Sequence, residues 1–288
     1  MAGIAVAYEV MRWEEKAIVE AARELGLNTT LLHLHNTFLF LGKRVSDEGV
    51  LAPGDQVVVQ RAISHAVALN STLALESMGF RVVNNSQSLA RSLNKVWTLS
   101  ILSRAGVPTP RTAVAFSEDV CFKLTPLIGY PLVVKPIDGS WGRLIALARD
   151  GEELRAILEH RAYIPNPNMK VHMIQEYVRK PGRDLRVFTI GDEVVAAIYR
   201  VSEHWITNTA RGGKAEPARV DSELEDIVLK ATRALGIEFA GVDVFEDRER
   251  GYLVNEVNAV PEFKNTVVVT GCKIHVKLVE YLKSLLRK

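Results

Sequence analysis

AGVDVFEDRERGYLVNEVNA, residues 240–259, reads as two apolar strands around the charged segment DRERG. Side chains alternate between the two faces of a strand, so Glu256 and Asn258 project from one face, with Val254 two places earlier on it. If the hairpin turns at Glu249 and Arg250, Asp243 stands directly across from Glu256. Two carboxylates in that relation repel unless a cation lies between them. Asp243, Glu256 and Asn258 offer oxygen ligands only, with no cysteine or histidine beside them, which suits magnesium. The competing reading is a hairpin edge with a solvated face. A slip of one residue in register would turn Asp243 to the other side.

A chain of 288 residues with 48% hydrophobic and 24% charged residues can bury a large core and is long enough for two or three domains. No apolar run approaches the length of a membrane span. The opening MAGIAVAYEVMRWEEK meets charged residues before a signal-type apolar region is complete, so a soluble, cytoplasmic protein without a membrane partner is expected. Cys121 and Cys272 lack ligand-type spacing, which argues against a disulfide framework or a zinc site and leaves them as small buried fillers. A net charge of +2 is too mild to imply nucleic acid.

Outward from the hairpin, the first third of the chain alternates strand and helix. GIAVAYEV and TTLLHLHN read as strands around EKAIVEAARELG, whose Ala17, Ile18, Ala21, Ala22 and Leu25 form one stripe before Gly26. VVVQRA and GFRVVN add two strands, so a small parallel-sheet unit is expected to end near Asn85. His33 and His35 have no third ligand at suitable spacing and read as polar-face residues. The prolines of AGVPTPRTAVA close the helix LNKVWTLSILSR and mark a junction. GYPLVVKPIDGSWGRLIALA reads as strand, glycine turn and strand, followed by the helix GEELRAILEH. MIQEYV and LRVFTIGDEVVAAIYR supply further antiparallel strands, covered by helices near 221–235 and 273–287.

Chemistry gathers on these hairpins. Lys135 ends an apolar strand beside GSWGR, where it can neutralise phosphate while Gly139 and Gly142 let backbone amides come close; an edge-strand lysine beside an ordinary turn is the alternative. Asp184 and Arg186 share one face of a strand, Arg200 ends its hairpin partner, and Arg211 lies in NTARGG. Three guanidinium groups on nearby segments suit phosphate and carboxylate recognition.

Lys95 in LNKVWTLSIL, followed in order by AGVPTP, PLVVKP, GSWGR, MIQEYV, GRDLRVF, NTARGG, GVDVF and NEVN, resembles the ATP-grasp carboxylate-amine ligases over nearly the whole chain. The most specific stretches are ITNTARGG and NEVNAVPEFKN. Within that family the sequence is similar to ribosomal-protein glutamate ligases, and more so to enzymes that join an amino acid to the amino-group carrier protein LysW in arginine and lysine biosynthesis. The resemblance implies an α/β (α+β) ATP-grasp fold with a parallel-sheet pre-ATP-grasp unit at 1–88, a small central subdomain at 89–172 and a C-terminal subdomain with the magnesium site at 173–288. It also implies a homo-oligomer, a dimer or tetramer.

Carried over on matching positions, the resemblance puts Lys95 and Lys135 on the phosphates of ATP, beneath a loop of Gly139, Ser140, Trp141, Gly142 and Arg143. Gln175, Glu176, Tyr177 and Val178 form the adenine hinge, and Asp184 lies near the ribose or the substrate. Mg2+ falls to Asp243, Glu256 and Asn258, while Arg186, Arg200, Asn208 and Arg211 face the phosphoryl group and acyl intermediate. Substrate contacts come from Asn208, Thr209, Ala210 and Arg211 and from Glu262, Phe263, Lys264, Asn265 and Thr266. The implied reaction activates the carrier's terminal glutamate carboxylate as an acyl phosphate, which an amino acid then attacks. No Ser-His or Cys-His nucleophile is needed.

Asn265-Thr266 resembles the glutamate-using LysW ligases, because aminoadipate users carry Gly-Phe there, so glutamate and arginine biosynthesis lead. An asparagine amide could bond the nearer carboxylate of glutamate and crowd the longer aminoadipate. The alternatives are 2-aminoadipate or both substrates in lysine biosynthesis, a ribosomal-protein-type glutamate ligase, a nucleotide-binding module without turnover, and an Asn265 that merely starts a turn into a strand over TVVVTG.

Overall fold

The structure is a computed structural model that describes residues 3–41, 56–139, 142–207 and 212–286. Three sheets organise it. In the first, β1 (Gly3–Tyr8), β2 (Asn28–His33), β3 (Gln56–Gln60) and β4 (Arg81–Val83) run parallel in the order β2-β1-β3-β4. Helix α1 (Trp13–Glu24) buries the expected stripe of Ala17, Ile18, Ala21 and Ala22, and α2 spans His65–Ser77. The strand order reverses between β1 and β3, the place where an open parallel sheet leaves a crevice at its carboxyl edge. The loops that carry Arg12 and Ala62 leave the sheet there.

Two helices, α3 (Ser86–Leu93) and α4 (Lys95–Arg104), lead out of this unit. Asn94 ends the first and caps the second, its side chain accepting from the amides of Val96 and Trp97, so Lys95 is fixed at the first turn of α4. The second sheet is antiparallel, ordered β5-β8-β6-β7, and is built from β5 (Thr112–Ala115), β6 (Leu132–Lys135), β7 (Ala146–Ala148) and β8 (His172–Glu176). Helices α5 (Glu118–Ile128) and α6 (Gly151–Ala162) cover it.

The third sheet contains β9 (Arg183–Ile190), β10 (Glu193–Val201), β11 (Lys214–Pro217), β12 (Phe239–Asp247) and β13 (Gly251–Asn258) in the order β11-β10-β9-β12-β13. Helix α7 (Ser222–Leu235) packs on one face, capped by Asp221 and closed by left-handed Gly236. Helices α8 (Lys264–Thr270) and α9 (Ile274–Leu285) complete the chain. Ile4, Val6 and Ile18 of the first unit share a core with Phe188, Phe239, Phe263 and Leu278, so the first and third sheets are bound by apolar burial.

Three local expectations are corrected. The β12–β13 turn occupies residues 248–250, tied by Glu249 and Arg250 amides donating to Asp247, and the ladder is offset by a bulge between Asp243 and Val244. The bulge restores the expected pairing of Asp243 with Glu256, but it moves Val254 off their face into the core beside Val257. TVVVTG is not a strand: its first five residues lie in α8, where the Glu14 carboxylate accepts from the amides of Phe263 and Lys264 and overrides a β-branched run. Finally, Cys121 is buried as a filler, whereas Cys272 is half-buried and its thiol donates to the Val195 carbonyl.

Candidate active site

Asp184 and Arg186 on β9 meet their partners across two ladders. Arg200 of β10 pairs in register with Asp184, and Asp243 of β12 pairs with Arg186. Arg200 Nε lies 2.7 Å from Asp184 Oδ1, Arg200 Nη2 lies 3.2 Å from Asp243 Oδ2, and Arg186 Nε lies 2.7 Å from Asp243 Oδ1. Alternating signs on neighbouring strands let four buried or partly buried charges coexist. Burial alone would lower the Arg200 pKa, but Asp243 and Asp184 together raise it, so its charge is secure. Arg186 needs Gly241 beneath it: a Cβ there would stand 2.7 Å from Arg186 Nη1 and 2.9 Å from Pro261 Cβ.

Asp243, Glu256 and Asn258 fit a magnesium ion by their donor chemistry. Asp243 Oδ1 is buried and, although close to the Arg186 charge, receives no hydrogen bond. Asn258 turns its amide nitrogen to the Gly241 carbonyl at 3.3 Å. Glu256 lies 3.4 Å from Lys95 Nζ. Among the described residues no three His, Cys, Asp or Glu side chains converge. Two carboxylates and an amide nevertheless match the way magnesium is commonly held, by few protein oxygens completed by phosphate and water. Burial pushes the Glu256 carboxyl up, but Lys95, Arg186 and Lys135 outweigh it and hold its pKa below the usual value.

A narrow cleft between the second and third sheets is lined by Lys135, Gly142, Gln175 to Val178, Lys180, Trp205 and Phe245. Lys135 Nζ donates to Gln175 Oε1 at 2.6 Å and to Asn255 Oδ1 at 2.8 Å. Burial pushes its pKa down to about 7, against the opposing pull of Glu256. Lys180 sits over the Phe245 ring and donates to Thr207, whose hydroxyl in turn donates to Asp184. Asp184 is thus held by Arg200 and Thr207. Glu176 points its carboxylate at Arg111 and Arg250, where it ties the end of β8 to the β12–β13 turn.

On the other side of the charge cluster lies a cavity of about 480 Å³, lined by Arg12, Trp13, Ala62, Ile63 and His65 of the first unit and by Pro261, Glu262, Lys264, Asn265 and Thr266. Lys95, Arg200, Asp243 and Glu256 line both spaces, so cleft and cavity meet at these four residues. Asn265 is exposed at the rim, Thr266 is buried, and Phe263 is absent from the lining because it is packed in the core against Trp13 and Phe239. Gly139 borders the cavity and accepts a bond from Lys95 Nζ, and Arg143 lies in the turn at residues 142–144. Ser140, Trp141, Asn208, Thr209, Ala210 and Arg211 lie outside the described residues.

Several residues here carry no sequence signal strong enough to single them out: Asn255, Lys180 and Thr207 on the cleft side, and Arg12 and His65 on the cavity side. Asn255 was detectable only as a polar residue in a valine-rich strand.

Comparison with known proteins shows the family. A RimK-like ATP-grasp domain model matches residues 92–282, and a LysX preATP-grasp domain model matches residues 4–91. The chain belongs to the RimK-like ATP-grasp family of ligases. It is 43% identical over 287 residues to the alpha-aminoadipate–LysW ligase LysX of Sulfurisphaera tokodaii, covering 99% of each chain. It is 36% identical over 283 residues to the glutamate–LysW ligase ArgX of Sulfolobus acidocaldarius, covering 98% of each. A RimK domain ATP-grasp protein from Sphaerobacter thermophilus superposes with a TM-score of 0.77 at 22% identity, over 98% of this chain and all of that one, and so shares the fold.

Proposed function

We propose that this enzyme joins an amino acid to the carrier protein LysW, accepting 2-aminoadipate and, in the same pocket, glutamate. The observation that carries the reaction class is the meeting of the two spaces at Lys95, Arg200, Asp243 and Glu256. A nucleotide in the cleft and an acceptor in the cavity would face each other across those charges. Full-length likeness to LysX at 43% identity favours aminoadipate over the 36% likeness to ArgX. The exposed rim position of Asn265 also leaves the cavity open to the longer side chain. The Asn265-Thr266 pair supports glutamate as the second substrate.

In this reading Lys135 and Lys95 bind the phosphates of ATP, and Gln175 to Val178 border the adenine. Trp205 and Phe245 line the same cleft, whose free space is about 70 Å³, and offer apolar surface to the base. Asp243, Glu256 and Asn258 would hold Mg2+, which supplies charge neutralisation between the phosphates. A carboxylate oxygen of the carrier's terminal glutamate attacks the γ-phosphorus, the bond to ADP breaks, and an acyl phosphate forms. Arg186 and Arg200 stabilise the negative charge that develops on the transferring oxygens. The substrate amine then attacks the acyl carbon, phosphate leaves, and the nitrogen loses a proton to give the amide.

ADP release tests this assignment. Sustained turnover should require LysW together with an amino acid, with a higher kcat/KM for aminoadipate than for glutamate. Release that ignores LysW and depends only on the amino acid would remove the carrier from the proposal.

A further inference from the structure

The segment Ala259–Lys264, which links the carboxylate strand β13 to α8 and the cavity residues Asn265 and Thr266, is held mainly by the first unit of the chain. Asn84 Nδ2 donates to the Ala259 carbonyl at 2.7 Å, and Arg61 Nη1 donates to the Pro261 carbonyl at 2.9 Å. Arg61 is fully buried and is itself fixed by Glu15, whose Oε1 lies 3.0 Å from Arg61 Nε. Arg12 joins the same carboxylate and reaches Glu262. Glu14, 5% exposed, accepts with one oxygen from both the Phe263 amide at 3.2 Å and the Lys264 amide at 3.1 Å. The Phe263 ring is clamped between Trp13 and Phe239, with the Arg61 guanidinium over it.

These contacts leave the segment little freedom. Its two ends carry Asn258 on the charge cluster and Asn265 at the cavity rim, so a shift of the chain at Phe263 and Lys264 moves the cavity wall directly. We propose that Glu14 is a positioning residue for amino-acid selection: by holding the two amides at the entry to α8, the N-terminal unit sets where Asn265 and Thr266 stand. This rests on the reading of the 480 Å³ cavity as the amino-acid pocket. A displacement of about 1 Å in a substrate-positioning wall has large kinetic consequences even where the displaced residue does no chemistry. Glu14 lies outside the nucleotide cleft, so its effect should fall on the amino acid and not on ATP.

The test measures kcat and KM for aminoadipate, glutamate and ATP, with LysW present, in the wild type, Glu14→Ala, Glu14→Gln and Val19→Ala. Val19 is buried in the same helix but packs into the core with Ile18 and serves as the control for lost stability. Glu14→Ala should raise the amino-acid KM about tenfold and move the aminoadipate-to-glutamate ratio of kcat/KM by about threefold or more, with the ATP KM changed less than about twofold. Glu14→Gln keeps an acceptor oxygen and should stay within about threefold of wild type. Val19→Ala should melt earlier with an unmoved ratio. A folded Glu14→Ala with unchanged amino-acid KM and ratio, or a Val19→Ala that moves the ratio equally, overturns the inference while wild-type turnover upholds the ligase reading. A wild type that ligates neither amino acid overturns both.

Discussion

Lys135 Nζ donates to Asn255 Oδ1 across 2.8 Å and thereby joins the second sheet to the bulged strand of the third. The bond exists because the bulge after Asp243 gives β13 an extra residue, which turns Asn255 towards the cleft while Glu256 keeps its place opposite Asp243. The two neutral amides, Gln175 and Asn255, take two of the three ammonium donors, and burial outweighs the opposing pull of Glu256 on the charge.

A pH effect follows from that ammonium. Its pKa of about 7 in the folded protein lies below the roughly 10.4 of an unfolded lysine. Between these values the unfolded chain binds more protons, so this group's contribution to stability is greatest above the unfolded pKa and is lost as pH falls towards 7. With Lys135 as the proposed phosphate ligand, ATP restores its charge, so ATP binding at about pH 8 should take up close to one proton. Calorimetric heats in two buffers of different ionisation enthalpy check this. Buffer-independent heats, or equal uptake by Lys135→Met, would contradict it.

Arg200 holds two buried carboxylates, and its side chain is only 5% exposed. Arg200→Ala removes the guanidinium shared by Asp184 and Asp243 and leaves Lys180, 3.7 Å from Asp184, and Arg186, 2.7 Å from Asp243, to neutralise them. Breaking a buried pair in this way costs about 3 to 5 kcal/mol. Urea unfolding should show a loss of that size, and a loss below about 1 kcal/mol would mean the cluster is more open to water than its geometry implies.

Glu256→Gln keeps the shape of the side chain and removes one carboxylate opposite Asp243. The protein should stay folded while ligation falls by about a hundredfold or more, since the proposed magnesium site loses a charged ligand. Activity titrated against magnesium should show the deficit at every concentration. Near wild-type turnover at limiting magnesium would refute the assignment of Glu256.

Asn265 and Thr266 are neighbours in sequence but not in environment, since Asn265 is exposed and Thr266 is 1% exposed. Asn265→Gly should shift kcat/KM further from glutamate towards aminoadipate at a stability cost of less than about 1 kcal/mol. Thr266→Phe overpacks a buried position and should cost about 1 to 3 kcal/mol on its own. Paired kinetics and melting curves separate the two effects, and an unchanged substrate ratio in folded Asn265→Gly would remove Asn265 from selection.

Much of the charge cluster was legible because it rests on period-two patterning. Asp184 and Arg186 were readable as one face of β9, and Asp243 was placed opposite Glu256 even though the turn is a residue longer than expected, because the bulge compensates. The same bulge hid Asn255 and the burial of Val254, since nothing in NEVN marks an inserted residue. TVVVTG looked like a strand because β-branched residues favour one, and the carboxylate that holds its entry comes from Glu14, about 250 residues away in sequence. The clamp of Arg12, Glu14, Glu15 and Arg61 shows no motif at all: each residue is an ordinary charge until the fold brings it to one loop. The helix α5 also escaped notice, with Pro126 inside its last turn.

Attachment of an amino acid to LysW by this chain is tested most directly by intact-protein mass spectrometry of the carrier. LysW incubated with the enzyme, ATP, magnesium and aminoadipate should gain the mass of one aminoadipate residue, and with glutamate, more slowly, the mass of one glutamate residue. Each product should disappear when ATP is omitted. An unmodified carrier in every mixture, from an enzyme that binds ATP and is folded, would contradict the account.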